Sequence, residues 1–153
     1  MGTFSPDIPA LVTSLYSILP EILVVATAIF VLLLDLAIPE EKKNLLCVSG
    51  LVGIGIALFS VYALGQGKIE GFSGMIVHDG AGAFFDVVIL SACALTFLMA
   101  SGYSEWEGTQ KGEFYSLILF STSGMMFMAK GTDLMTVFLG LEILSIPIYV
   151  LVG

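Results

Sequence analysis

Five apolar runs, each about as long as a helix needs to cross a lipid bilayer, leave this chain few ways to fold. A spanning helix takes roughly 20 predominantly apolar residues, and such runs fall at about 20–38, 45–64, 80–102, 112–129 and 133–153. Polar or Gly/Pro punctuation bounds them. Pro20 and Glu21 suit the first turn of the first helix, and Pro39 with the EEKKN loop stops it. GQGKIEGFSG, a long loop, follows the second run, and YSEWEGTQKGE closes the third with Tyr103 and Trp106, aromatics expected at headgroup level. KGTD makes a tight turn before the fifth, for which Asp133 with Thr132 is a plausible N-cap. The earlier PALVTSLYSIL is too short to span and either extends the first helix or lies along the interface. With 58% hydrophobic and only 12% charged residues among 153, and a mean hydropathy of +1.04, a water-soluble domain is excluded, because a chain this small must keep much of its surface polar. The expectation is an all-α, polytopic transmembrane helical bundle of about five spans, forming a single membrane domain over residues 1–153.

The net charge of −8 arises from acids that lie mostly between the apolar runs or at their ends. Solvation accounts for them there, so no nucleic-acid partner is implied; the lipid bilayer is the expected surrounding. Lys42, Lys43 and Lys111 lie on the side of the first and third connections, Lys68 and Lys130 on the other. That count favours an external N-terminus. Cys47 and Cys93 fall inside different runs at different depths and read as small core residues, not as a disulfide. The N-terminus has no basic n-region and the first run has membrane-spanning length, so that run is expected to remain in the mature protein. The last run ends in apolar sequence without a cap or polar tail, as expected of a fragment. CxxC, GxGxxG and P-loop patterns are missing, and His78 stands alone, so this chain is expected to bind no metal, nucleotide or redox cofactor.

The closing FLGLEILSIPIYVLVG carries Glu142 with nothing basic around it. At 1.5 Å per residue Glu142 lies about 13 Å along the fifth helix from Asp133, close to halfway through a hydrocarbon layer roughly 30 Å thick. A carboxylate there costs several kcal/mol unless it is neutral or partnered. Gly140 permits close helix approach, Ser145 lies one turn along, and Pro147 frees the carbonyl of Ile143. On the fourth helix Ser121, Thr122, Ser123 and Gly124 lie at the same depth. The tight turn makes the two helices antiparallel neighbours, so this hydroxyl patch is placed to face the carboxyl and hold a short water chain, or simply to pack. Lys130 is about 18 Å from Glu142 along the chain, beyond a lysine's reach, so any cationic partner comes from elsewhere.

Burial favours the protonated carboxyl and a nearby lysine the ionised one, so moving that cation would switch such a glutamate between holding and releasing a proton. Glu142 is therefore a candidate proton relay; the alternative is a permanently protonated hydrogen-bond donor between helices. Asp86, a turn and a half into the third run, is expected to be hydrated near the interface, with a possible role in proton entry. Asp35 suits an exposed helix end, Glu21 and Glu113 complement helix dipoles in first turns, and His78 and Asp79 suit loop or capping roles.

Residues 112–153, with GEFY at 112–115 and GLEILSIPIYVLVG at 140–153, resemble the antiporter-like membrane subunits of respiratory complex I, the bacterial NADH:quinone oxidoreductase. HDGAGAFF at 78–85 and LPEILV at 19–24 are weaker echoes of the same family. The resemblance implies that the chain is an N-terminal portion of a proton-translocating subunit in the bacterial inner membrane, packed among other membrane-arm subunits. It also implies that Glu142 is the coupling carboxyl, with a lysine on a later helix as its usual partner. NADH, FMN, iron–sulfur clusters and quinone are implied in partner subunits, so this is a non-redox subunit of a translocase. A related multisubunit cation/proton antiporter and a non-transporting membrane scaffold are the alternative expectations.

Overall fold

Proline 20 decides how the chain enters the membrane. Its ring has no N–H to donate and would clash with the carbonyl four residues earlier, so a helix cannot run through it undisturbed. In the computed structural model, which describes residues 8–38, 44–65, 67–107 and 112–152, with the side chains at 44, 102–107 and 112 outside the description, the chain breaks there. A ten-residue helix α1 (Ile8–Ser17) ends, and α2 (Leu19–Ala37) begins with Pro20 in its first turn. The PALVTSLYSIL segment is thus a separate short helix, not an extension of the first span.

Four further helices follow: α3 (Asn44–Leu64), α4 (Gly80–Glu107), α5 (Gly112–Lys130) and α6 (Leu134–Val152). α2, most of α3 and α4, and α6 are long and apolar enough to cross a membrane. α5 has matching length, but Glu113 and Lys130 at its ends, together with its Ser-Thr-Ser run, make it less apolar. It occupies the middle of the bundle and packs against α2, α3, α4 and α6. Residues 39–43, which include Lys42 and Lys43, together with Lys111 and the side chains of Tyr103 and Trp106, lie outside the described residues.

The connection from α3 to α4, expected as an irregular loop, folds into a two-stranded antiparallel hairpin. β1 (Ile69–Gly71) pairs with β2 (Ile76–His78) in the register Ile69 to His78, Glu70 to Val77 and Gly71 to Ile76. Its tip is a short 3-10 turn in which Phe72, Ser73 and Gly74 all take positive φ. The hairpin is held from two sides. The Phe72 N–H donates to Ser14 Oγ of α1 at 3.1 Å. The α5–α6 turn pairs with it through an Ile76–Gly131 bridge, a Thr132 N–H to Met75 O bond of 3.1 Å, and a bond from the Thr132 hydroxyl to Gly74 O. Thr132 is therefore spent on the hairpin and not on capping α6. Asp79 does cap as expected, accepting from Gly82 N–H at 2.8 Å at the start of α4.

Each helix turns one stripe inward. Val24, Ala28 and Val31 of α2, Ile54, Ala57 and Val61 of α3, Leu90, Cys93 and Phe97 of α4, and Leu119 and Met126 of α5 form one buried cluster. The three-and-four spacing is that of a helix face. Large apolar residues on the opposite faces, such as Phe59, Leu95 and Val150, are exposed, as lipid-facing surfaces require. Both cysteines are buried and free. α5 and α6 approach closely: a Cβ on Gly124 would lie 2.5 Å from Leu144 N and 2.7 Å from Gly140 O. Both neighbours are backbone atoms, so only glycine fits.

A buried ion cluster and an outward-facing glutamate

The buried stripes of α2, α4 and α5 each carry a charge near one end of the helix. On α2 the buried positions run Glu21, Val24, Ala28, Val31; on α4, Ala83, Asp86, Leu90, Cys93, Phe97; on α5, Leu119, Ser123, Met126, Lys130. The same three-and-four spacing that buries the apolar members carries the charged ones inward. α2 and α4 begin, and α5 ends, at the hairpin side of the bundle, so the three groups meet. Lys130 Nζ lies 2.7 Å from Glu21 Oε1 and 2.6 Å from Asp86 Oδ2, and all three side chains are fully shielded from solvent. These carboxylates and this ammonium have no hydrogen-bonding partners among the described residues beyond one another. Gly82 leaves room for the lysine stem, since a Cβ there would come within 3.2 Å of Lys130 Cγ.

This arrangement corrects two expectations. Asp86 is not hydrated near an interface, and Glu21 is not simply a dipole complement in an exposed first turn; both are buried partners of one lysine. Above them sits His78, also buried, with Nε2 3.3 Å from Gly65 O and Nδ1 without a partner. Burial, with the Lys130 ammonium adding to it, holds the His78 imidazole below its ordinary pKa. Among the described residues no group of acidic, histidine and cysteine side chains is arranged to hold a metal ion.

Glu142 lies elsewhere. It is exposed on α6, and no ion pair or hydrogen bond engages it within the described part of the chain. The hydroxyl patch expected to face it turns to its own helix: Thr122 donates to Ile118 O at 2.8 Å and Ser123 to Phe120 O at 2.7 Å. Ser145 likewise donates to Leu141 O. The reason is rotational. α6 meets α5 through Gly140, Ile143 and Leu144 and buries only Gly140 and Pro147. At about 100° per residue, Glu142 sits roughly 200° round from Gly140. Ser121 and Thr122 instead line a groove with Cys93, Met125 and Pro147, between α4, α5 and α6. As expected, Lys130 is not the counter-ion of Glu142, because it is committed to Glu21 and Asp86.

No protein-family model matches the chain. Individual proteins do. A protein named NADH-quinone oxidoreductase subunit N from Trichlorobacter lovleyi is 39% identical over 136 residues, covering 89% of this chain and 28% of that protein. Another so named, from Herpetosiphon aurantiacus, is 42% identical over 127 residues, covering 82% of this chain and 25% of that protein. The chain matches a fragment of NADH-quinone oxidoreductase subunit N. A third subunit N, from Desulfovibrio desulfuricans, aligns with 96% of the chain at 35% identity. The chain spans little more than a quarter of the length of these subunit N relatives. The resemblance read from GLEILSIPIYVLVG and its echoes is borne out by them.

Proposed function

We propose that this chain is part of a proton-translocating subunit in the membrane arm of a bacterial NADH:quinone oxidoreductase, with Glu142 as its coupling carboxyl. Electron transfer from NADH to quinone, with its FMN and iron–sulfur clusters, takes place in partner subunits. The N-terminus faces the outside of the inner membrane.

The similarity to subunit N proteins carries this reading; the position of Glu142 does not, because among the described residues no polar group of the adjacent span meets it. Glu142 is a lone carboxyl about 12 Å inside the start of α6, on the face turned away from its own bundle and exposed there. A carboxyl presented to hydrocarbon at that depth is costly unless another polar group meets it. For Glu142 to act as the coupling carboxyl a further polar element must meet the outward face of α6, and a movable cation there would switch the carboxyl between its two protonation states. The names of the matching proteins support the same setting.

The test is Glu142→Gln in the complete complex. Proton uptake by membrane vesicles driven with NADH is expected to fall, and the quinone reductase rate with it, while assembly on native gels is retained. Wild-type pumping in the variant would remove Glu142 from the mechanism and favour a scaffold role for that carboxyl.

A further inference from the structure

The charges in the buried cluster do not balance. Lys130 supplies one positive charge, whereas Glu21 and Asp86 supply two negative charges when ionised. A net charge of −1 would then sit fully shielded from solvent, with no other cation in contact among the described residues. An unpaired buried charge is costly enough that titratable groups neutralise before they accept it. Two carboxyls drawn to one ammonium are also close enough to titrate as a unit.

We propose that Glu21, Asp86 and Lys130 form a one-proton binding site: a single proton, beyond those of the ammonium, is held by the two carboxyls and leaves or enters as one event. Uptake converts one carboxylate to a carboxylic acid and takes the cluster from −1 to neutral; release reverses this. The groups facing it are His78 on β2, which burial keeps neutral, and Asp79 at the head of α4, whose carboxylate is bonded to Gly82 N–H. Neither is in ion-pair contact with the cluster, so neither supplies the missing charge. The cluster lies at the hairpin end, in the first turn of α2 and at the last residue of α5, so its proton has a short way to that surface. This adds a second proton-handling site to the function proposed above, but its test does not pass through Glu142 or through pumping.

The experiment is infrared difference spectroscopy of the complete complex, with pH jumps in H2O and D2O, on wild type, Glu21→Gln and Asp86→Asn. Wild type is expected to show a carboxylic-acid C=O band that responds to pH and shifts in D2O. Either variant should lose that band entirely, because one carboxylate and one ammonium already balance. At least one variant should also assemble at the wild-type level, since an amide mimics the carboxyl that is already neutral. An unchanged band in both variants, the lack of such a band in wild type, or failure of both variants to assemble would each overturn the proposal. Wild-type vesicle pumping in a variant that has lost the band would leave the site standing and detach it from transport.

Discussion

Replacing Lys130 by methionine keeps the length of the side chain and removes the only cation from the buried cluster. At 2.6–2.7 Å and an effective dielectric of about 20, each ion pair is worth roughly 6 kcal/mol of Coulomb energy. Desolvation offsets most of that while the pair is intact; removing one partner leaves the offset uncompensated, typically at about 3–5 kcal/mol. An independent route gives a similar figure. Without Lys130 the second carboxyl must also take up a proton, and holding an acid of ordinary pKa near 4 protonated at pH 7 costs about 4 kcal/mol, at ~1.4 kcal/mol per pH unit. The sign follows from proton counting. The folded variant holds one more carboxyl proton relative to its unfolded state than wild type does, so its deficit grows as pH rises and shrinks as pH falls. Thermal unfolding of the solubilised complex, followed at pH 6, 7 and 8, should show Lys130→Met destabilised, with a gap from wild type that widens by about 1.4 kcal/mol per unit. Adding Asp86→Asn to Lys130→Met should recover part of the loss, giving a coupling energy of about 1–3 kcal/mol. A gap that does not change with pH, or additive single effects, would refute the reasoning.

Two further outcomes test the fold around the sites. Gly124→Ala places a methyl group against the backbone at Leu144 and Gly140, so α5 and α6 must separate; a loss of about 1–3 kcal/mol is expected, seen as a lower thermal midpoint, and an unchanged midpoint would show that the close packing is not essential. His78 has its pKa held down by burial and by Lys130, so its contribution to stability is complete above its ordinary pKa of about 6.5 and is lost as pH falls below it. The protection factors of the Ile69–His78 amides against hydrogen exchange should therefore fall more between pH 7 and pH 5 in wild type than in His78→Asn, and an equal fall would exclude His78 as the cause.

The helices were legible because their apolar runs are long and their punctuation is strong: Pro20, the glycine-rich stretch after Leu64 and the KGTD turn all mark real boundaries. The hairpin was not, since its strands have only three residues each and their partners lie in α1 and the α5–α6 turn. Glu142 stood out because its depth follows from counting along one helix. Its facing needed the pairing of Gly140 with Gly124, a contact between helices that small residues hint at but do not specify. The cluster was missed for a different reason. Glu21, Asp86 and Lys130 each sit near a helix end, where exposure is the usual outcome, and each looks ordinary alone. Extending the buried stripe of each helix by one more three-or-four step would have carried all three inward.

The clasp between Thr132 and the hairpin tip ties the entry of α6 to the exit of α3 and the entry of α4. Any tilt of α6 against its neighbours must therefore hinge at that end, with the tied backbone as fulcrum and the span as lever. Over the roughly 28 Å of a 19-residue helix, a swing of about 10° carries the far tip some 5 Å. Glu142, less than halfway along, travels about 2 Å, enough to make or break a hydrogen bond with a neighbouring group.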